Sequence, residues 1–212
     1  MSESTTTATP TQDQLDELHR AVAHLKAGGV VAVATETFFG LCADARRGSA
    51  VDAVFALKGR EETKASALLI PDLETWEPLV TSVPPLAKRL AVRFWPGPLT
   101  IALAAHECVH PLLKYRGKVA VRVPGPSPAL ELARAFGGPL TATSANPSGS
   151  PSSRSADDVR AYFEGRGGLM VMGGVAPGGM PSTVVEVVGD TWRMVRAGAV
   201  PSSVLEELVA AA

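Results

Sequence analysis

Apolar positions follow helical and strand spacing in alternating stretches, which predicts helices and strands mixed along the whole chain. Apolar residues between Leu15 and Leu25 recur at helical spacing, and Thr11 and Gly28 are typical start and stop residues for that helix. Further helices are predicted from near Ser49 to Lys58, around 73–79, and over 85–94, 128–136, from Ser155, and from Pro201. Strands are predicted at 30–34, 67–70, 99–104, 119–123, 140–142, 169–172, 183–188 and 192–195.

This mixture predicts an α/β domain (α+β in some schemes) built on a mixed sheet. We see no linker that divides the chain, so residues 11–212 are predicted to form one domain. Residues 1–10 are polar and rich in Ser and Thr, and are predicted to be a disordered tail. The segment 173–180 contains four glycines and is predicted to be a mobile lid.

The composition and net charge argue against several classes of protein. Hydrophobic residues make up 46% of the 212 residues and charged residues 19%, as in globular proteins. The net charge of −1 argues against strong direct nucleic-acid binding. No apolar run reaches the length of a membrane helix and no secretory leader is visible, so we expect no membrane association and a cytoplasmic location. Two cysteines are too few for a disulfide scaffold.

Several common catalytic motifs are absent from the sequence. It contains no phosphate-binding P-loop, no dinucleotide-binding glycine motif, no H-E-x-x-H and no G-x-S-x-G. The four histidines, His19, His24, His106 and His110, are scattered and are interpreted as surface residues. We therefore expect no metal site built from protein side chains.

Two arginines stand where apolar residues are expected. Arg122 interrupts a run of valine and alanine, and a buried arginine needs an anionic partner. Arg196 continues the period-two face of Trp192 and Met194. Taken singly, each is as well explained by an edge-strand arginine that reaches water.

A basic cluster and a polar loop complete the candidate site. Lys58, Arg60 and Lys64 follow a helix that ends at a loop, and S-A-N-P-S-G at 144–149 follows a strand. The simpler interpretations are a solvated basic run and a surface turn. Together with the two arginines, they predict a pocket for a polyphosphate or a carboxylate, which arginine forks bind in two-point fashion.

Five segments, taken in order, resemble motifs of the YrdC-like threonylcarbamoyl-AMP synthases. They are T-E-T-F-F-G-L at 35–41, K-G-R at 58–60, W-P-G-P-L-T at 95–100, S-A-N-P-S-G at 144–149 and P-S-T-V-V at 181–185. Each is weak alone, but five in the family's order are highly specific. The resemblance implies a YrdC/RibB-like three-layer fold with a twisted mixed β-sheet and a concave, basic cavity.

The resemblance also implies a reaction. L-Threonine, bicarbonate and ATP would give threonylcarbamoyl-AMP and pyrophosphate, with Mg²⁺ bound with the ATP. A separate downstream transferase would pass the product to tRNA as the threonylcarbamoyladenosine modification. Such a displacement needs alignment and charge neutralisation more than a dedicated acid or base.

Site residues carried over by position divide between the two substrates, and none is assigned as a catalytic acid, base or nucleophile. The threonine contacts are Thr37, Arg122, Ala142 and Ser182. The ATP contacts are Arg60, Lys64, Lys118, Ser144, Ser152 and Arg196. Positioning is assigned to Lys58, Arg60, Ser144 and Asn146.

The chain departs from the family pattern at three positions. Ala34 and Glu61 each replace a common proline, and Leu69 stands where longer members often carry a histidine that contacts threonine. Two alternatives therefore stay open: a carbamoyl-adenylating enzyme of another pathway, and a YrdC-like module that binds RNA without catalysis. The low aromatic content of 5% argues against the second.

Overall fold

The computed structural model describes residues 11–59 and 66–210. The predicted tail at 1–10 lies outside these ranges, as do the predicted ATP contacts Arg60 and Lys64 and the departure at Glu61. No helix in the described ranges is long and apolar enough to cross a membrane.

Within residues 11–59 and 66–210, six α-helices form close to where the apolar spacing predicts them. Thr11 and Ser155 each begin a helix with a reciprocal capping box, which satisfies backbone N–H groups that lack helical partners. The stretch 73–79 was predicted to be helical and is a 3-10 helix over Glu74–Leu79 with Pro78 inside it. The helices are α1 (Gln12–Lys26), α2 (Gly48–Lys58), α3 (Pro85–Phe94), α4 (Pro128–Phe136), α5 (Ala156–Tyr162) and α6 (Ser202–Ala210).

In the described part of the chain, nine strands form one mixed sheet. They are β1 (Val30–Ala34), β2 (Phe39–Cys42), β3 (Ala67–Leu69), β4 (Leu99–Ala104), β5 (Lys118–Arg122), β6 (Leu140–Ser144), β7 (Leu169–Val171), β8 (Thr183–Val188) and β9 (Thr191–Arg196). Their spatial order is β7-β1-β2-β6-β3-β5-β4-β8-β9. The β1–β7, β3–β5 and β4–β8 pairs are parallel and the other five are antiparallel, which confirms the predicted mixed sheet.

The sequence interpretation missed β2 and ended β6 too early. Phe39–Cys42 pairs with β1 across a tight turn, and β6 continues through Thr143 and Ser144 to pair with Gly40 and Leu41. Ser144 is therefore the last residue of a strand, where regular pairing fixes its backbone, and the polar loop begins after it.

Helices pack on both faces of the sheet. In the β1 region, Val31 and Val33 face α1 and α4, whereas Val30 and Ala32 face α2 and α5. A third cluster packs α3 and α6 against large aliphatic residues of the other half-sheet, including Leu68, Ile101, Val121 and Val185.

The same half-sheet carries small and polar side chains on its opposite face. Alternation places Ala67, Ala120 and Val184 there, between the large residues that face α3 and α6. Small side chains leave space above the strands, and two adjoining cavities occupy that space.

Candidate active site

A cavity of about 430 Å³ brings most of the predicted site residues together. It lies among the turn after β1, the C-terminal end of α2, the sheet face and the segment that enters β8. The predicted residues that line it are Thr37, Lys58, Arg122, Ala142, Ser144, Asn146, Ser152, Ser182 and Arg196. Leu69 also lines it, directly opposite Arg122 in the β3–β5 pair.

Lys118 is not among the residues that line this cavity. Its ammonium lies 2.5 Å from Oε1 of Glu186, in the adjoining cavity of about 440 Å³. Ser66, Ala120 and Val184 line both cavities, so Lys118 lies on the continuation of the same sheet face.

Arg122 is buried and has an acidic partner. Its guanidinium is on β5, and Nη1 donates to Oε1 of Glu36 at 2.6 Å. The prediction that a buried Arg122 needs an anion is thereby confirmed, and the anion belongs to the chain itself. Burial lowers the pKa of Arg122 and the charge of Glu36 opposes that shift, but arginine remains protonated in proteins.

Arg196 reaches the cavity because β9 contains a bulge. Val184 pairs with Arg196 while the next residue, Val185, pairs with Met194, so one extra residue lies in β9. The prediction that Arg196 shares the face of Met194 is wrong for this reason. Met194 packs into the core, whereas Arg196 lies on the opposite face beside Val184.

The guanidinium of Arg196 holds the segment that enters β8. Nη2 donates to the carbonyl oxygen of Ser182 at 2.8 Å and to its hydroxyl at 3.0 Å. That hydroxyl also lies 2.9 Å from Oγ1 of Thr100. Burial and the charge of Arg122 both lower the pKa of Arg196, and both arginines line the same cavity.

Lys58 holds the loop that follows β6. Its Nζ donates to the carbonyl oxygens of Ser144 at 2.5 Å and of Asn146 at 2.7 Å. The Lys58 carbonyl in turn accepts from the backbone N–H of Ser148 at 3.1 Å. Helix α2 ends here at Gly59, whose φ of 56° is the left-handed conformation that glycine favours.

Asn146 braces the same loop from within. Its Nδ2 donates to the carbonyl oxygen of Ser150 at 2.5 Å, and Ser153 Oγ donates to that of Ala145 at 2.7 Å. The Oδ1 atom of Asn146 is buried with no hydrogen-bond partner in the described structure.

A hydroxyl-stabilised turn presents Thr37. Oγ1 of Thr35 accepts from the backbone N–H groups of Thr37 and Phe38 at 3.1 and 3.2 Å, and lies 3.0 Å from Oγ1 of Thr37. The Thr37 carbonyl accepts from the N–H of Gly178 at 2.7 Å. The glycine-rich segment is therefore tied to the turn.

Sequence reasoning missed several polar residues of the site. Ser66 and Thr100 line the cavity, Thr35 shapes the turn, and Glu36 partners Arg122. Three of these stand inside the motifs that resemble the family, and a polar residue inside an apolar strand was the available signal for Thr100. Ser66 lies outside the motifs and gives no such signal.

The site offers cations and hydroxyls rather than a nucleophile or a metal cluster. In residues 11–59 and 66–210, no three His, Cys, Asp or Glu side chains lie close enough to hold a metal ion. Burial raises the pKa of the Cys42 thiol to about 12, so the thiol stays protonated. The arrangement is suited to binding and aligning anionic substrates.

Two threonylcarbamoyl-AMP synthases align with most of this chain. It is 37% identical over 191 residues to the threonylcarbamoyl-AMP synthase of Pyrococcus abyssi, covering 89% of this chain and 56% of the relative. It is 34% identical to the threonylcarbamoyl-AMP synthase of Chromohalobacter salexigens, covering 86% of this chain and 99% of the relative. The chain thus spans little more than half of the longer relative and nearly all of the shorter one.

A solved structure and a family model agree with these relatives. The structure of P. abyssi Sua5 complexed with L-threonine superposes with a TM-score of 0.85 at 35% identity, covering 92% of this chain and 57% of that one. The model of the Sua5/YciO/YrdC family, described as "Telomere recombination", matches residues 23–198. That match covers all nine described strands and the whole cavity, and the chain belongs to the Sua5/YciO/YrdC family.

Proposed function

We propose that the protein is an L-threonylcarbamoyladenylate synthase, a nucleotidyltransferase that makes threonylcarbamoyl-AMP from L-threonine, bicarbonate or CO2, and ATP. One observation carries the proposal. Nine predicted site residues from separate segments of the chain line one cavity that contains two arginines, in a chain of this family. The synthases named above and the threonine-bound relative supply the substrate class.

The chemistry is a two-step condensation. The threonine amine attacks the carbon of CO2 and loses a proton, which forms a carbamate. A carbamate oxygen then attacks the α-phosphorus of ATP, the bond to the β-phosphate oxygen breaks, and pyrophosphate leaves. The first step depends on holding threonine and CO2 close together. The second depends on aligning the carbamate with the α-phosphorus and on neutralising phosphate charge.

The amino acid occupies the Arg122 part of the cavity in this proposal. The Arg122 guanidinium binds the threonine carboxylate, and the hydroxyls of Thr37 and Ser182 contact the amino acid. Ala142 contributes a small side chain, and the apolar Leu69 forms the neighbouring wall. These residues line the same cavity, and Leu69 is the direct cross-strand neighbour of Arg122.

ATP occupies the remainder of the cavity. Ser144, held by Lys58, and Ser152 contact the nucleotide, and Arg196 neutralises phosphate charge. Arg60 and Lys64 are assigned to phosphate from the resemblance alone, and Lys118 extends the nucleotide contact into the adjoining cavity.

Mg²⁺ is proposed to enter with ATP. The described residues hold no cluster of three acidic or soft ligands, so the phosphates and water supply most of its ligands. Bound Mg²⁺ would neutralise phosphate charge during displacement.

We also propose that residues 11–212 form one domain and that the protein is cytoplasmic. A separate transferase would deliver the product to tRNA.

Pyrophosphate release tests the proposed function. We expect release only when ATP, threonine and bicarbonate are all present, and loss of release when any one is omitted. Release that ignores threonine but responds to carbamoyl phosphate would instead favour the carbamoyl-adenylating alternative. No release combined with RNA retention on filters across a salt series would favour the non-catalytic alternative.

A further inference from the structure

The guanidinium of Arg122 is held from outside the cavity. Arg122 lines the cavity, whereas its partner Glu36 is not among the lining residues. Nη1 of Arg122 donates to Oε1 of Glu36 at 2.6 Å, and both side chains are largely buried. The carboxylate of Glu36 thus binds Nη1 of a guanidinium whose residue lines the cavity, without Glu36 itself being one of the lining residues.

The side chain of Glu36 is confined by a neighbouring glycine and by the turn that carries it. Gly125 follows β5, and a Cβ atom there would lie 3.1 Å from Cγ of Glu36 and press on the side chain. The turn that carries Glu36 is fixed by Oγ1 of Thr35, which accepts from two successive backbone N–H groups. The Glu36 end of the ion pair is therefore fixed by local structure.

The ion pair leaves most of the guanidinium available. Arginine has five N–H donors in a planar fork, and in the described part of the chain Glu36 takes one of them, on Nη1. The edge formed by Nε and Nη2 retains the geometry for a two-point bond to a second carboxylate. The charge of Glu36 also favours the protonated form of Arg122 and opposes the lowering of its pKa by burial.

We propose that Glu36 is a positioning residue that fixes the Arg122 guanidinium so that its Nε–Nη2 edge meets the carboxylate of the amino-acid substrate. The identity of that ligand rests on the proposed function. The opposite model makes Glu36 a competitor that occupies Arg122 until substrate displaces it. Positioning requires that removal of Glu36 weakens amino-acid binding, whereas competition requires that removal strengthens it.

Two substitutions of Glu36, to glutamine and to alanine, separate the loss of its carboxylate charge from the loss of its hydrogen bond to Arg122. Oε2 is buried without a hydrogen-bond partner, so the amide nitrogen of glutamine takes its place without losing a bond. Glu36→Gln keeps the Oε1 acceptor for Arg122, and Glu36→Ala removes it. Asp157→Ala is the matched control, since Asp157 pairs with Arg160 at 2.8 Å on the exposed surface.

The first experiment needs no substrate. NMR of the arginine side chains in the unliganded protein reports rotation of the Arg122 guanidinium, with the signal assigned by its loss in Arg122→Lys. We expect slow rotation in the wild type, in Glu36→Gln and in Asp157→Ala, and fast averaging in Glu36→Ala. Equal rotation in the wild type and in Glu36→Ala overturns the proposal.

The second experiment measures ligand affinity by calorimetry. We expect Glu36→Ala to weaken threonine binding roughly tenfold or more, with ATP affinity unchanged and most of the loss restored in Glu36→Gln. Unchanged or tighter threonine binding in Glu36→Ala overturns positioning. If the wild type binds no threonine, the proposed function fails while the rotation measurement still decides the role of Glu36.

Discussion

The ammonium of Lys58 lies 2.5 Å from the carbonyl oxygen of Ser144 and 2.7 Å from that of Asn146, so one buried cation joins the end of α2 to the loop after β6. The two elements are far apart in sequence, and this contact sets the position of the loop in the cavity. Lys58 therefore shapes, through backbone carbonyls, the part of the cavity where we propose that the nucleotide binds.

Replacing Lys58 by methionine tests this arrangement. The variant keeps side-chain length but leaves two carbonyl acceptors without their charged donor, which costs about 2–4 kcal/mol of unfolding free energy. We expect urea unfolding to show that loss and ATP affinity to fall. Lys114→Met is the control, because Lys114 also donates to a carbonyl, of Glu107 at 3.1 Å, but on the exposed surface. Equal effects of the two variants would contradict the role of Lys58.

Arg122→Lys separates charge from geometry at the amino-acid end. Lysine keeps the positive charge but loses the planar fork, so one amine cannot satisfy both Glu36 and a ligand carboxylate in two-point fashion. We expect threonine affinity to fall by roughly one to two orders of magnitude and ATP affinity to change much less. Calorimetric titration of each ligand measures both. Equal losses of affinity for the two ligands would mean that Arg122 does not bind threonine specifically.

Arg60→Ala is the complementary variant for the phosphate end. Its predicted partner is a phosphate of ATP, so we expect ATP affinity to fall while threonine affinity is largely kept. Titrations of the same two ligands measure this. A loss confined to threonine would contradict the assignment.

Glu186 predicts a pH dependence of stability. Hydrogen bonds from Lys118 at 2.5 Å and from Arg193 at 2.6 Å hold the pKa of its carboxyl below the usual value. A folded-state pKa below the unfolded one gives stability that is present above the unfolded pKa of about 4.3 and is lost as the pH falls through the folded value. We expect the stability gap between the wild type and Glu186→Gln to shrink as urea unfolding is repeated from pH 7 into that acidic range. A difference in stability that stays constant with pH would show that it does not come from the ionised carboxylate of Glu186.

The segment 173–180 is expected to become more protected when substrates bind. The N–H of Gly178 already donates to the carbonyl of Thr37, so closure of the site should order the segment further. Hydrogen exchange should slow there on addition of ATP and threonine, with α4 as an internal reference. Unchanged exchange would show that the segment is not a lid.

Local signals were sufficient for much of the fold. The capping boxes at Thr11 and Ser155, the helix α4 and the strand β4 lie where sequence spacing places them. These features depend on residues within a few positions of one another, so the sequence contains their determinants directly.

Features that depend on distant pairing were not predictable in the same way. The bulge that turns Arg196 toward the cavity arises from the register of β9 on β8. The partner of Arg122 is Glu36, 86 residues away, so spacing indicates that an anion is needed without identifying it. Most of the site residues that the resemblance assigned line the cavity, because the motifs sample elements that only the fold brings together.

If one cavity joins threonine, bicarbonate and ATP, the carbon of bicarbonate must appear in the nucleotide product, and isotope tracing follows that carbon. The protein is incubated with ATP, threonine and ¹³C-bicarbonate, and the nucleotide products are identified by mass spectrometry. We expect threonylcarbamoyl-AMP that carries one ¹³C atom, formed together with pyrophosphate and greatly reduced in Arg122→Lys. An adenylate that contains no threonine, or a product without the labelled carbon, would contradict the account.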